Sequence, residues 1–352
     1  MASVPWLNII SKNSMNILEN ISLKNYNTFG VDITARAAAN IINENDLMEV
    51  LSLNEFKDSE KLVLGGGSNI LFTKDFNGIV IKNTIPGINI VDEDELTVLV
   101  EAGAGVKWHD LVQYCVDKNF GGIENLALIP GTAGAAPIQN IGAYGQELKD
   151  RLFSLKGVSL DDYKVKKYSN KECKFGYRDS IFKNELKGKF IITNIILRLE
   201  KNPVISIDYA SIKEELEKLH LNHVTIKDVS NAICGIRMKK LPDPAVFGNA
   251  GSFFKNPEIT AYQLDELKKN YPGIAWYKMN NGQVKIAAAW LIEKCGWKGK
   301  RIGNVGSHSM QPLVLVNYGG ATGEEIINLA LEIKNSVYEK FGITLHEEVN
   351  IY

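Results

Sequence analysis

The sequence predicts an α+β protein of more than one domain, and three observations carry that reading. Strand-like and helix-like stretches mix along the chain without regular alternation, and the first glycine-rich turn joins a strand pattern to another strand pattern. The length of 352 residues, 45% of them apolar and 23% charged, supplies about two or three globular domains with real cores.

Taken in order, residues 1–20 lack a basic segment, an apolar block and a small-residue cleavage site, so they read as a short N-terminal extension. The stretch 34–52 opens as a strand and continues as a short amphipathic helix, with Asn45 as its cap. Strands are expected at 61–64, 70–72, 78–81 and 96–100. Trp108, Leu111, Val112, Cys115 and Val116 then have helical spacing. Between Asn119 and Gly145 lie six glycines, two prolines and one charge, Glu124. A segment so apolar and so rich in small residues reads as tight turns packed against something. Strands are expected again at 158–165 and 190–199, with a helix at 210–220. The two prolines of KKLPDP, 239–244, favour an extended connection and a domain boundary. Beyond it, helices at 287–295 and 323–340 and strands at 313–316 and 343–351 complete the reading.

Composition excludes several classes of function. The 40 Lys+Arg against 41 Asp+Glu leave a net charge of -1, so no broad basic surface recruits nucleic acid. No apolar run approaches the ~18 residues of a membrane span. Cys115, Cys173, Cys234 and Cys295 stand far apart with no C-x-x-C, which reads as reduced thiols in a cytoplasmic protein. The pair His220 and His223 lacks a third ligand nearby, and no metal site is expected.

Several motifs carry chemistry. Backbone N–H groups of the turn Gly65, Gly66, Gly67, Ser68 and Asn69 can converge on an anion, or the turn can be a plain glycine-rich hairpin. A strand follows it, so the P-loop and the Rossmann fingerprint both fail on context. The Gly103-x-Gly105 pair reads as structural. Residues 128–144 form a wall of small side chains that suits a flavin, or alternatively a packed loop at a domain interface. Ser252 is outside any nucleophile elbow and serves either as a general acid or as a turn residue. Arg178, among aromatics, either bridges Asp179 or awaits a carboxylate. In the last segment, period two puts Ile343, Leu345, Val349 and Ile351 on one face with Glu347, and Glu348 opposite.

Together the strings NTFG at 27–30, GGGSNIL at 65–71, ENLALIPG at 124–131, PIQNIGAYG at 137–145, FGYRDSIF at 175–182 and GNAGSFFKNP at 248–257 resemble the UDP-N-acetylenolpyruvoylglucosamine reductase (MurB) family. The resemblance runs from about residue 23 to residue 350, and Tyr209 matches the tyrosine-bearing insertion of its type I branch. It implies a vanillyl-alcohol-oxidase/PCMH-like FAD-binding fold in two lobes, 21–90 and 91–238, plus a C-terminal α+β substrate-binding domain, 239–352. It implies non-covalent FAD, NADPH as co-substrate and the enolpyruvyl ether of UDP-N-acetylglucosamine as substrate, in a monomeric enzyme of peptidoglycan synthesis.

Residue by residue, the resemblance gives Arg178 and Glu348 the polarisation of the substrate carboxylate and Ser252 the proton to C2. It gives FAD to Leu64, Gly65, Gly66, Gly67, Ser68 and Asn69, to the wall residues Ile129, Pro130, Gly131, Thr132, Ala135, Ala136, Ile138, Asn140, Ile141 and Gly142, and to Arg237. It gives the substrate to Tyr144, Tyr177, Tyr209, Lys240, Asn256, Tyr277 and Gln311. Asn350 departs from the arginine that some relatives carry. The competing readings are another non-covalent FAD oxidoreductase of this fold and a catalytically silent UDP-sugar-binding protein.

Overall fold

A computed structural model describes residues 9–12, 15–207, 209–279 and 282–352, with side chains from Asn16 onward. Residues 1–8, 13 and 14 of the expected N-terminal extension lie outside the described residues. The chain divides into two compact units. One comprises residues 1–22, 34–66 and 76–239, and the other residues 23–33, 67–75 and 240–352.

The first unit is built on two five-stranded sheets. In the first sheet the order is Ile9–Lys12, Met15–Ser22, Thr34–Ile41, Phe76–Asn83, Glu60–Leu64. Residues read as extension therefore contribute strands. Thr34–Ile41 and Glu60–Leu64 both run parallel to Phe76–Asn83, with Leu64 opposite Lys82. The glycine turn thus leaves the C-terminal end of a parallel strand, where open parallel sheets place their ligands. The helix Glu44–Ser52 lays Leu47, Val50 and Leu51 on this sheet. Its cap is Asn43, whose side chain accepts from the Asp46 N–H at 2.9 Å, not Asn45; two amides in the same stretch made the cap ambiguous by sequence.

The second sheet is antiparallel in the order Val165–Ser169, Leu152–Ser159, Phe190–Glu200, Thr97–Gly103, Ile88–Glu93. The strand expected at 158–165 is instead the turn between Leu152–Ser159 and Val165–Ser169, with Tyr163 at φ +55. Asp161 and Asp162 supply the turn chemistry there. The helices Trp108–Asp117 and Ile226–Lys240 pack on this sheet through Trp108, Leu111, Val112, Cys115, Val229, Ile233 and Ile236. Each such fully buried aliphatic side chain contributes about 1.5–3 kcal/mol. The second helix extends through Lys240, so the extended connection expected from Lys239 begins only at Leu241.

The second unit contains two three-stranded antiparallel sheets. One is ordered Glu258–Ile259, Val284–Ile286, Trp276–Lys278, the other Arg301–Ile302, Val305–Ser307, Leu315–Asn317. Its helices are Ala261–Asn270, Ala288–Lys294 and Gly323–Phe341. The last has a complete capping box between Thr322 and Glu325 and ends on Gly342 at φ +66. The closing strand expected over 343–351 is regular only at Asn350–Ile351, which pairs parallel with Ile70–Leu71. Ile343, Leu345 and Val349 are buried, whereas Ile351 is exposed.

Candidate active site

In the first unit the glycine turn rests on the wall, Gly65 against a side chain and Gly66 against backbone. A Cβ on Gly65 would lie 2.5 Å from Thr132 Oγ1, and one on Gly66 would lie 3.0 Å from Gly131 Cα. The turn is held by Lys82, half-buried, whose ammonium donates to the Gly65 carbonyl. Burial pulls the Lys82 pKa down. The wall is pinned to residues 104–108: Ala133 N–H donates to Val106 O at 2.8 Å, Gly134 N–H to Ala104 O at 2.9 Å, and Trp108 N–H to Gly131 O at 3.0 Å. Gly103 and Gly105 are glycines for packing, since a Cβ there would meet Pro86 O at 2.3 Å and Thr84 at 2.2 Å. Within the wall Thr132, Ala136, Asn140 and Ile141 are buried, while Pro130 and Ala135 are exposed and Ile129, Gly131, Ile138 and Gly142 half-buried.

Arg237 lies on the helix Ile226–Lys240 and donates through Nε to Leu128 O at 3.2 Å. Among the described residues it pairs with no carboxylate, and burial pulls its pKa down despite Tyr144 and Cys234 nearby. His109 Nδ1 accepts from the Leu128 N–H at 3.1 Å, so that ring nitrogen is an unprotonated acceptor, and burial holds the imidazole pKa low. The two contacts fix Leu128 at φ +57, at the start of the wall. A strained wall, close-packed glycines and a half-buried guanidinium without an anionic partner fit a large ligand bearing phosphate, such as FAD. Gly65, Gly66, residues 129–142 and Arg237 would hold it.

Arg178 stands at φ +52, and its Nη2 donates to Gly142 O at 2.5 Å. Its guanidinium carbon lies 5.3 Å from the centre of the Tyr177 ring. Asp179 accepts instead from Asn184 Nδ2 at 2.9 Å. Asn140, fully buried at φ +45, donates to Glu147 Oε2 at 3.0 Å and Gly176 O at 2.9 Å and accepts from Lys149 N–H at 3.0 Å. This side chain ties the wall to the arginine loop. Tyr144 sits at the tip of the hairpin Gly142–Ala143/Gln146–Glu147, edge-on to Tyr209 with ring centres 5.8 Å apart. Burial pushes the Tyr144 hydroxyl pKa up.

In the second unit the segment after Gly251 is held on both sides. Phe253 N–H donates to Leu313 O at 2.8 Å, and Glu348 N–H donates to Phe253 O at 2.8 Å. Backbone pairing thereby sets Glu348 opposite Phe253, the residue after Ser252, while Ser252 itself bridges to Val314. Ser252 is half-buried, and among the described residues its hydroxyl has no hydrogen-bond partner. Gly67 belongs to this unit, buried at φ +66, with Ser68 and Asn69 half-buried after it. Asn256 Oδ1 accepts from Ala288 N–H at 2.9 Å at the start of the helix Ala288–Lys294. Gln311 Oε1 accepts from Leu313 N–H at 3.4 Å, while Lys240 and Tyr277 are exposed. Lys82, Thr28, Glu147 and Asn249 were not singled out by sequence, though Thr28 and Asn249 lie inside the strings NTFG and GNAGSFFKNP. Among the described residues no group of three or more His, Cys, Asp or Glu could hold a metal ion, and no helix is long and apolar enough to cross a membrane.

The model of a family described as the FAD binding domain matches residues 35–165, and with the fold above it defines an FAD-dependent oxidoreductase. A second model, described as the C-terminal domain of UDP-N-acetylenolpyruvoylglucosamine reductase, matches residues 243–352. The UDP-N-acetylenolpyruvoylglucosamine reductase of Flavobacterium johnsoniae is 47% identical, over 96% of this chain and 100% of its own. That of Amoebophilus asiaticus is 48% identical, over 96% and 99%. The crystal structure of the reductase (MurB) from Thermus caldophilus aligns with a TM-score of 0.67 at 25% identity, over 96% of this chain and 99% of that one. The chain belongs to the UDP-N-acetylenolpyruvoylglucosamine reductase family, and the expected FAD-binding fold with a C-terminal α+β domain is the one found.

Proposed function

We propose that the protein reduces the enolpyruvyl ether of UDP-N-acetylglucosamine to UDP-N-acetylmuramate with NADPH, as a monomer, in the cytoplasmic synthesis of peptidoglycan precursor. The observation that carries this reading is the match to a reductase of that name at 47% identity over 96% of this chain and 100% of the relative. The chemistry that bound FAD supplies is relay of a hydride from NADPH to C3 of the ether.

The side chains answer the charge that this addition creates. Hydride at C3 leaves electron density at C2 and on the adjacent carboxylate. The guanidinium of Arg178, held over Tyr177 and against Gly142 O, offers fixed positive charge to that carboxylate, and Glu348 shares its polarisation. Ser252, with no partner for its hydroxyl among the described residues, delivers the proton to C2. Tyr144, Tyr177, Tyr209, Lys240, Asn256, Tyr277 and Gln311 take the nucleotide sugar, where Lys240 and the tyrosine hydroxyls suit its diphosphate. The two lobes at 21–90 and 91–238 hold FAD, and 239–352 holds the substrate.

An oxygen-free visible spectrum of the purified protein tests the reading. The flavin bands are expected to bleach with NADPH and to return on adding the enolpyruvyl ether. Bleaching with no substrate-driven return would point to a flavin enzyme with another acceptor, and absence of flavin after reconstitution would remove the cofactor.

A further inference from the structure

The motif NTFG at 27–30 has no part in the function proposed above, yet the second unit is organised around it. The Asn27 side chain closes its own loop: Nδ2 donates to Leu23 O at 2.8 Å and to Val31 O at 2.9 Å, and Oδ1 accepts from Val31 N–H at 3.1 Å. Buried and fully bonded, Asn27 makes the loop a rigid mount for Thr28.

All three polar groups of Thr28 face other loops. Its N–H donates to Gly67 O at 3.0 Å, its carbonyl accepts from Asn249 N–H at 2.9 Å, and its hydroxyl donates to Asn249 O at 2.6 Å, with Gly67 O a longer second acceptor at 3.3 Å. Asn249 Oδ1 in turn accepts from Gly251 N–H at 3.0 Å, the residue before Ser252. The neighbouring packing has no slack. A Cβ on Gly67 would lie 2.0 Å from Tyr26 O, and one on Gly248 would lie 2.2 Å from Phe29 O. The glycine turn, the motif and the loop 248–252 therefore share one register, with Thr28 bonded to both of the others.

We propose that Thr28 is a positioning residue for proton delivery: through Asn249 its hydroxyl sets the place of Ser252 relative to the end of the glycine turn. The assignment rests on the proposed function, because it takes Ser252 to be the acid. Valine at 28 keeps the shape and both backbone bonds but leaves the Asn249 carbonyl without its hydroxyl donor.

The test uses flavin-loaded wild type, T28V and T28S, with oxygen-free rapid mixing of each half-reaction. Bleaching by NADPH is expected to stay within about twofold in both variants, with unchanged flavin spectra. Reoxidation by the enolpyruvyl ether is expected to slow about tenfold in T28V, the effect of one hydrogen bond of ordinary strength. The solvent deuterium isotope effect on that step should rise in T28V, and T28S should restore the rate to within about threefold, since it returns the same donor. Should T28V not load flavin, T28A removes the hydroxyl without adding a methyl group and carries the same comparison. Reoxidation in the hydroxyl-less variant equal to wild type, slowing of both half-reactions alike, or failure of T28S to rescue would each overturn the assignment. A wild type that bleaches but is not reoxidised by the ether overturns the proposed function and this assignment with it. An active wild type beside an equally active variant overturns this assignment alone.

Discussion

Asn350 sends two donors to one acceptor: its backbone N–H and its Nδ2 reach the carbonyl oxygen of Asn69 at 3.1 and 3.0 Å. Asn69 Nδ2 in turn lies 3.5 Å from Glu348 O. The segment bearing Glu348 is thereby tied to the end of the glycine turn, and Asn350 contributes a neutral tether rather than a charge. Asn350→Ala keeps the backbone bond and loses the other, a change of about 0.5–1.5 kcal/mol. FAD affinity, measured by flavin fluorescence titration, is expected to fall about two- to tenfold. An unaltered affinity would show that the turn gains nothing from this side chain.

The contact of Gly66 with Gly131 predicts a larger effect. A Cβ at 66 would sit 3.0 Å from a backbone carbon that is itself pinned through Trp108 N–H, so neither side can yield without moving the wall. Gly66→Ala is expected to lower flavin content per chain, with an overpacking cost of about 1–3 kcal/mol. Gly235→Ala is the control, because it lies on the helix Ile226–Lys240 with nothing within 4 Å of a Cβ. It should retain flavin and stabilise the chain by up to about 1 kcal/mol. Equal flavin content in the two variants would contradict the close-packed turn.

How much of this could be seen in the sequence differs by element for physical reasons. The helix Gly323–Phe341 is legible because its capping residues, its apolar spacing and Gly342 agree. The helix Ile226–Lys240 is not, because Ser230, Asn231 and Gly235 weaken local propensity and packing on the sheet supplies the stability. The strands of the second unit, two or three residues long, are too short to show alternation. Arg178 stood out as a guanidinium among aromatics and Ser252 as a hydroxyl among glycines and aromatics, whereas the period of two singled out Glu347, and Glu348 was reached only through the family resemblance. The Thr28 hydroxyl reaches the Asn249 carbonyl and the Asn140 amide reaches the Gly176 carbonyl, backbone groups distant in sequence, and no spacing announces such partners.

Ser252→Ala separates the two half-reactions. The substitution removes a hydroxyl that has no partner among the described residues, so the fold loses little. NADPH bleaching is expected at the wild-type rate, whereas reoxidation by the enolpyruvyl ether should slow by orders of magnitude. Unchanged reoxidation would take Ser252 out of the acid role.

Asn140→Asp tests the hub beneath Arg178. Asparagine at this fully buried position donates to Glu147 and to Gly176 O. An aspartate presents acceptors to both, and it adds a like charge beside Glu147, whose Oε2 already engages the Lys149 ammonium at 2.6 Å. A loss of about 1–3 kcal/mol or more in urea unfolding is expected, the cost of leaving the Glu147 and Gly176 acceptors without their donor. Burial and the neighbouring carboxylate raise the folded pKa of such an aspartate, so its deficit should shrink as pH falls and the group is neutralised. A deficit that is small, or that does not change with pH, would mean that the site reaches water.

Cys115 predicts the alkaline limit of stability. The thiol is fully buried on the helix Trp108–Asp117, and burial pushes its pKa up to about 12. In the unfolded chain a thiol ionises near about 8.5. Below that pH both states hold the proton and the group contributes no pH dependence. Between about 8.5 and about 12 only the unfolded state releases it, so stability falls as pH rises, by up to about 1.4 kcal/mol per pH unit. Lys82, whose pKa burial pulls down, acts with the opposite sign in the alkaline range, so the bare slope mixes the two. Comparing wild type with Cys115→Ala removes the mixture. The variant loses some packing at neutral pH, and the gap should narrow from about pH 9 upward. A gap that stays constant to about pH 10.5 would show that the thiol titrates as freely in the folded chain as in the unfolded one.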